Sequence, residues 1–176
     1  MTNKYVMASL LTAAVLLSGV ASAQTGSGTL GITADIQSSI KLTFLTDASG
    51  MAVTGTSTST ASLPMGTVSM NSGTVPANVS KTMNGIVSFN LSTPFDIRVD
   101  LANSSSTTYT LSAMLSSADV VNVWTIGPTD ISSGASFALA SAGVYGTAVP
   151  YTFKLTLPAT AIGSVSNTIT FTAVAN

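Results

Sequence analysis

Val87-Ser88-Phe89-Asn90-Leu91-Ser92-Thr93-Pro94-Phe95-Asp96-Ile97-Arg98-Val99-Asp100-Leu101 is the stretch whose reading decides the fold. Apart from Thr93, every odd position is apolar. The even positions include Asp96, Arg98 and Asp100, charges that a protein core rejects. A period of two over this length describes extended chain with one face buried and one in water.

Working outward, the same pattern recurs on both sides. After the turn cluster Asn103 to Ser106, Tyr109, Leu111, Ala113 and Leu115 alternate in turn, which predicts a hairpin with the preceding run. Val121, Val123 and Ile126 predict a short strand around Trp124, and Phe137 with Leu139 starts another. Val149, Tyr151, Phe153, Leu155 and Leu157 lead to Pro158, and Ile169, Phe171 and Ala173 close the chain. Toward the N-terminus, Gly73 to Gly85 reads as irregular, and Leu63-Pro64-Met65-Gly66-Thr67-Val68 as a short strand whose proline suits an edge or a strand start. Asp47 to Ser62, rich in Gly, Ser, Thr and Ala, reads as a long loop or a weakly held hairpin. Before it, Ile40, Leu42 and Phe44 continue the phase of Leu30, Ile32, Ala34 and Ile36 across a bend at Ser38-Ser39. Short strands joined by Gly/Ser/Asn turns, with no helical period between them, indicate an all-β sandwich or barrel.

Residues 1–23 have the form of a cleavable signal peptide: Lys4, an apolar stretch from Val6 to Val20, and Ala21-Ser22-Ala23 as a small-x-small cleavage site. Residues 24–37 read as a flexible lead-in that begins Gln24-Thr25-Gly26-Ser27-Gly28 and holds a candidate donor strand, and 38–176 as the sandwich domain. The expected location is the cell surface or extracellular space, reached through the periplasm if there is an outer membrane, with no integral membrane segment after cleavage.

Composition removes whole classes of chemistry. The 176 residues contain no cysteine and no histidine, so disulfides, thiolate metal sites and the commonest general base are all absent. The five basic residues are too few and too scattered to neutralise a phosphate backbone, which argues against nucleic acid. Serine and threonine make up nearly a third of the chain and supply the wettable surface in place of charge. Such a surface has little self-repulsion and suits stacking against copies of itself. Lys41, Lys81 and Lys154 lie among serines but in no nucleophile motif. Asp96 and Asp100, four residues apart on one strand face, stand about 13 Å apart at ~3.3 Å per residue, beyond either glycosidase spacing. Arg98 between them is expected to keep both ionised. No enzyme activity, cofactor or metal is expected. Trp124 and Tyr145 remain as candidate surface ligand contacts, since Tyr109 and Tyr151 share the parity of buried residues.

Thr29 to Phe44, Leu63 to Val68, the central run Phe95 to Leu115 and the closing Gly163-Ser164-Val165-Ser166-Asn167-Thr168-Ile169-Thr170-Phe171-Thr172 together resemble secreted bacterial subunits of the spore coat protein U and fimbrial type. The cysteine pair common in those subunits is missing, and Met65 stands where they tend to have an aromatic residue. The resemblance implies an immunoglobulin-like antiparallel β-sandwich that a strand from a neighbouring subunit can complete. The expected function is a self-assembling fimbrial or coat-like structural subunit whose partners are copies of itself or related surface subunits, with Leu30, Ile32, Ala34 and Ile36 either as the subunit-contact strand or as the first strand of the chain's own sandwich. The competing expectation is a monomeric secreted module that binds carbohydrate or another surface ligand.

Overall fold

The computed structural model describes residues 30, 31, 33, 34 and 39–176. The signal-peptide assignment and most of the lead-in, including Ile32 and Ile36, lie outside the described residues. Contacts divide the chain into a unit Met1–Asp35 and a unit Ile36–Asn176. In the first, Leu30, Gly31, Thr33 and Ala34 are exposed and belong to no strand.

That unit is all-β. Its strands are β1 (Ser39–Leu45), β2 (Thr67–Val68), β3 (Gly73–Thr74), β4 (Ser80–Asn84), β5 (Ser88–Ala102), β6 (Thr108–Leu115), β7 (Val123–Ile126), β8 (Thr129–Asp130), β9 (Ser136–Val144), β10 (Ala148–Pro158) and β11 (Ile169–Ala175). A six-stranded antiparallel sheet runs β1-β5-β10-β7-β8 with β4 also on β5, and a three-stranded sheet runs β11-β6-β9. Their apolar faces meet as a sandwich, with β2 and β3 forming a separate ribbon. Among the described residues no helix is long and apolar enough to cross a membrane.

The deciding run forms the 15-residue strand β5, and its alternation is the alternation of burial: Phe89, Leu91, Phe95, Ile97 and Val99 are all enclosed. On the other sheet β6 does the same with Tyr109, Leu111, Ala113 and Leu115. These two strands are not a hairpin, because they belong to opposite sheets. Each carries an apolar inner face, interrupted in β5 only by Thr93, and the chain between them arches across the core so that the two faces meet.

Pro94 sits inside the longest strand at no cost to the ladder. One side of β5 pairs with β10 from Ser88 to Arg98, while the other is shared between β1, which spans Asp96 to Ala102, and β4, which spans Ser88 to Ser92. Residues 93–95 face the gap between them, so Pro94 lacks an N–H where no strand needs one. The segment after β1 fills this gap. Gly50 lies so close to the Pro94 carbonyl that a Cβ there would collide with it. Met51 N–H donates to Thr93 Oγ1 (2.9 Å), and Thr93 Oγ1 donates to the Asn78 carbonyl (3.1 Å). Met51 and Val53, in the stretch expected to be loosely held, are therefore core residues.

Other local expectations are corrected too. Only Thr67–Val68 of the 63–68 segment is strand, because Gly66 at φ +87° turns the chain before it. The irregular 73–85 stretch contains β3 and β4. Val121 and Val123 face solvent, whereas Trp124 and Ile126 face the core. Arg98 pairs with Asp100 alone (2.9 Å). Asp96 instead has Asp47 as its neighbour, and partial burial, followed by that negative charge, raises its carboxyl above the usual range.

Candidate functional site

Six strands face only three, so the smaller sheet cannot cover the larger. The uncovered part is a groove of about 740 Å³. Its floor is the inner face of the large sheet: Leu42 and Phe44 from β1, Phe95 from β5, Phe153 and Leu155 from β10, Trp124 and Ile126 from β7. One wall is residues 165–171, the approach to β11 and its first residues, with Ile169 and Phe171 turned inward. The loop 59–66, with Leu63 and Met65, supplies a second wall. No charged side chain lines the groove.

Aromatic contacts mark its two ends. Phe171 meets Phe44 and Phe95 edge to face, with ring centroids 5.4 and 5.9 Å apart, tying β11 to β1 and β5. Toward the other end Trp124 packs on Phe153 at 5.9 Å. Between these contacts β11 pairs with β6 on one side only, and its other edge has no strand among those described. Free N–H and C=O groups along that edge offer a ladder to an incoming extended chain. Side chains of that chain pointing inward would reach an uncharged, largely apolar floor. The site thus favours an extended peptide with alternate apolar residues and offers nothing to hold a charged ligand.

Trp124 is held in the floor by its loop. It is only 5% exposed, and its indole N–H donates to Asp119 Oδ2 at 2.7 Å. Asp119 also accepts from the backbone N–H groups of Val121 and Asn122 and from the Asn122 side-chain amide. Desolvation alone would raise the Asp119 carboxyl, but these hydrogen bonds outweigh it and bring its pKa down to about 2. A carboxyl lowered by folding stabilises the fold above its unfolded value, and that stability is lost as pH falls from the ordinary carboxyl value of 3.8 through about 2. We therefore expect the thermal midpoint to fall with acid over that window. Asp119→Ala should cost about 1–3 kcal/mol at neutral pH, by leaving the indole N–H unpartnered, and should remove Asp119's part of the acid dependence. Melting curves followed by Trp124 fluorescence between pH 7 and pH 2 check both.

Tyr145 is elsewhere. Its ring packs at a tilt against Tyr109 with centroids 5.2 Å apart, and its hydroxyl donates to the Thr108 carbonyl at 2.9 Å. Trp124 and Tyr145 therefore do not form a shared surface platform: the first is buried floor and the second secures the end of β6. Of the candidate contact strand, Leu30 is 85% exposed and Ala34 is exposed. Lys81 places its ammonium on the carbonyls of Ser69 and Ser72, at 2.6 and 3.0 Å, and not on a serine hydroxyl. Among the described residues no group of three acidic, histidine or cysteine side chains could hold a metal ion.

The sequence alone did not reveal the groove. Leu63 and Met65 read as strand residues, and Ile169 and Phe171 as ordinary core. The available signal was the excess of apolar strand faces on one sheet over the other, which appears only once strands are assigned to sheets. Comparison of the chain with protein-family models, curated proteins and solved structures finds no match.

Proposed function

We propose that this chain is an exported structural subunit of a bacterial surface or extracellular assembly, not an enzyme, and that it polymerises by accepting an extended strand from another copy. The observation that carries the reading is the uncharged groove beside the unpaired β11 edge. The occupant is the segment Leu30 to Ile36 of a second copy. It is seven residues long, as β11 is, and its four apolar side chains recur at every second position. Leu30 stands out in solvent, available to a partner. Main-chain bonds to β11 would supply the attachment, and Leu30, Ile32, Ala34 and Ile36 the plugs.

Electrophoresis without boiling separates this reading from its rival. A strand-exchanging subunit gives a ladder of high-mass species that collapses to monomer on heating. A binding module runs as monomer and is retained on a polysaccharide column, a result that would overturn the proposal.

A further inference from the structure

Three connections carry bare aliphatic side chains at one end of the sandwich. They are the β4–β5 turn with Ile86 and Val87, the β6–β7 connection with Val120 and Val121, and the β10–β11 connection with Ile162, all between 66% and 97% exposed. Pairing puts them together: Ser88 lies opposite both Asn84 and Pro158, Thr156 lies opposite Val123, and Asn167 donates to the Ser117 carbonyl at 2.8 Å. The one charge in these connections, Asp119, is engaged with Trp124 and Asn122. Apolar side chains gathered on several loops, with no charged side chain among them but the hydrogen-bonded Asp119, mark a contact surface.

At the opposite end, β1 begins at Ser39 beside Ala102, and Val144, 61% exposed, lies opposite Thr108. The direction of β11 then fixes which end meets which. It runs from the Ile162 end toward the Ser39 end, so a strand pairing with it antiparallel, as every pair in this fold does, finishes at the Ile162 end. In the donating copy only Gln37 and Ser38 separate Ile36 from Ser39. Two residues reach about 7 Å at ~3.3–3.6 Å per residue. We infer that the end bearing Ile86, Val87, Val120, Val121 and Ile162 is the seat of a second copy's Ser39 end, so that copies stack head to tail. This rests on the strand-donation reading and adds what that reading does not specify, the body-to-body contact and its polarity. Unlike ends in contact leave one of each free, so copies add head to tail and the assembly does not close as a two-fold dimer.

The cysteine-free chain allows a direct test. Val120→Cys and Val144→Cys are introduced singly and together into the full chain, and assembled material is treated with a short bis-maleimide. The double variant should give a covalent ladder that survives boiling, and neither single variant should give more than a trace. Dimers from Val120→Cys alone would show like ends meeting and overturn the inference. So would a double variant that forms the heat-labile ladder but no covalent one. Capture of the monomer by neutral lipid vesicles through this end, lost in Val120→Asp, would also overturn it in favour of a membrane. If the unsubstituted chain forms no heat-labile ladder, the strand-donation reading fails first and this inference falls with it.

Discussion

Phe95→Asp and Leu111→Asp are each expected to abolish folding, while Asp96→Asn leaves the melting midpoint within a few degrees. Phe95 is 4% exposed on the large sheet and Leu111 0% on the small one, so the pair tests both faces of the core. Removing a buried large apolar side chain costs about 2–5 kcal/mol, and burying an unpaired carboxylate costs several more, against a typical total stability of about 5–15 kcal/mol. Asp96 lies on the outer face beside Asp47, where burial and a like charge already disfavour its ionised form, so the neutral amide loses little. Soluble yield and circular dichroism of the three variants check this. Damage from Asp96→Asn equal to the others would mean that the strand faces are assigned backwards.

The second large effect concerns assembly. In the full chain, Ile32→Asp combined with Ile36→Asp should convert high-mass species to a monomer that keeps its β-sheet circular dichroism. Each aspartate would have to enter a groove with no cation to pair it, at about 3 kcal/mol or more, which is over a hundredfold in affinity per site. Thr33→Asp, between the plugs, should have a much smaller effect because it points away from the floor.

How much of this was legible beforehand follows from how local each signal is. The faces of β5, β6 and β10 were readable because alternation over eight or more residues is a property of the strand itself. Which strands pair was not, since the Asn103 to Ser106 turn cluster serves an arch between sheets as well as a hairpin within one. β7 is four residues long, too short for alternation to fix its phase, and the flanking Val121 and Val123 misled the reading of Trp124. β4, Ser-Lys-Thr-Met-Asn, carries no apolar period, being held to β5 chiefly through its main chain. Met51 and Val53 could not be placed without knowing that β1 and β4 leave a gap at Pro94. The groove is the least local feature of all, a difference in coverage between two sheets.

The most direct measurement of the central claim is uptake of the donor segment. A fluorescent peptide spanning Gly28 to Ser38 is added to the full-length Ile32→Asp, Ile36→Asp variant, whose own segment cannot compete, and its anisotropy and Trp124 emission are followed. Strand donation predicts saturable one-to-one binding, a change in Trp124 emission as the groove floor is covered, and loss of binding when the peptide carries the same two aspartates. A peptide that leaves anisotropy and emission unchanged, or that binds equally well with the aspartates in place, would contradict it.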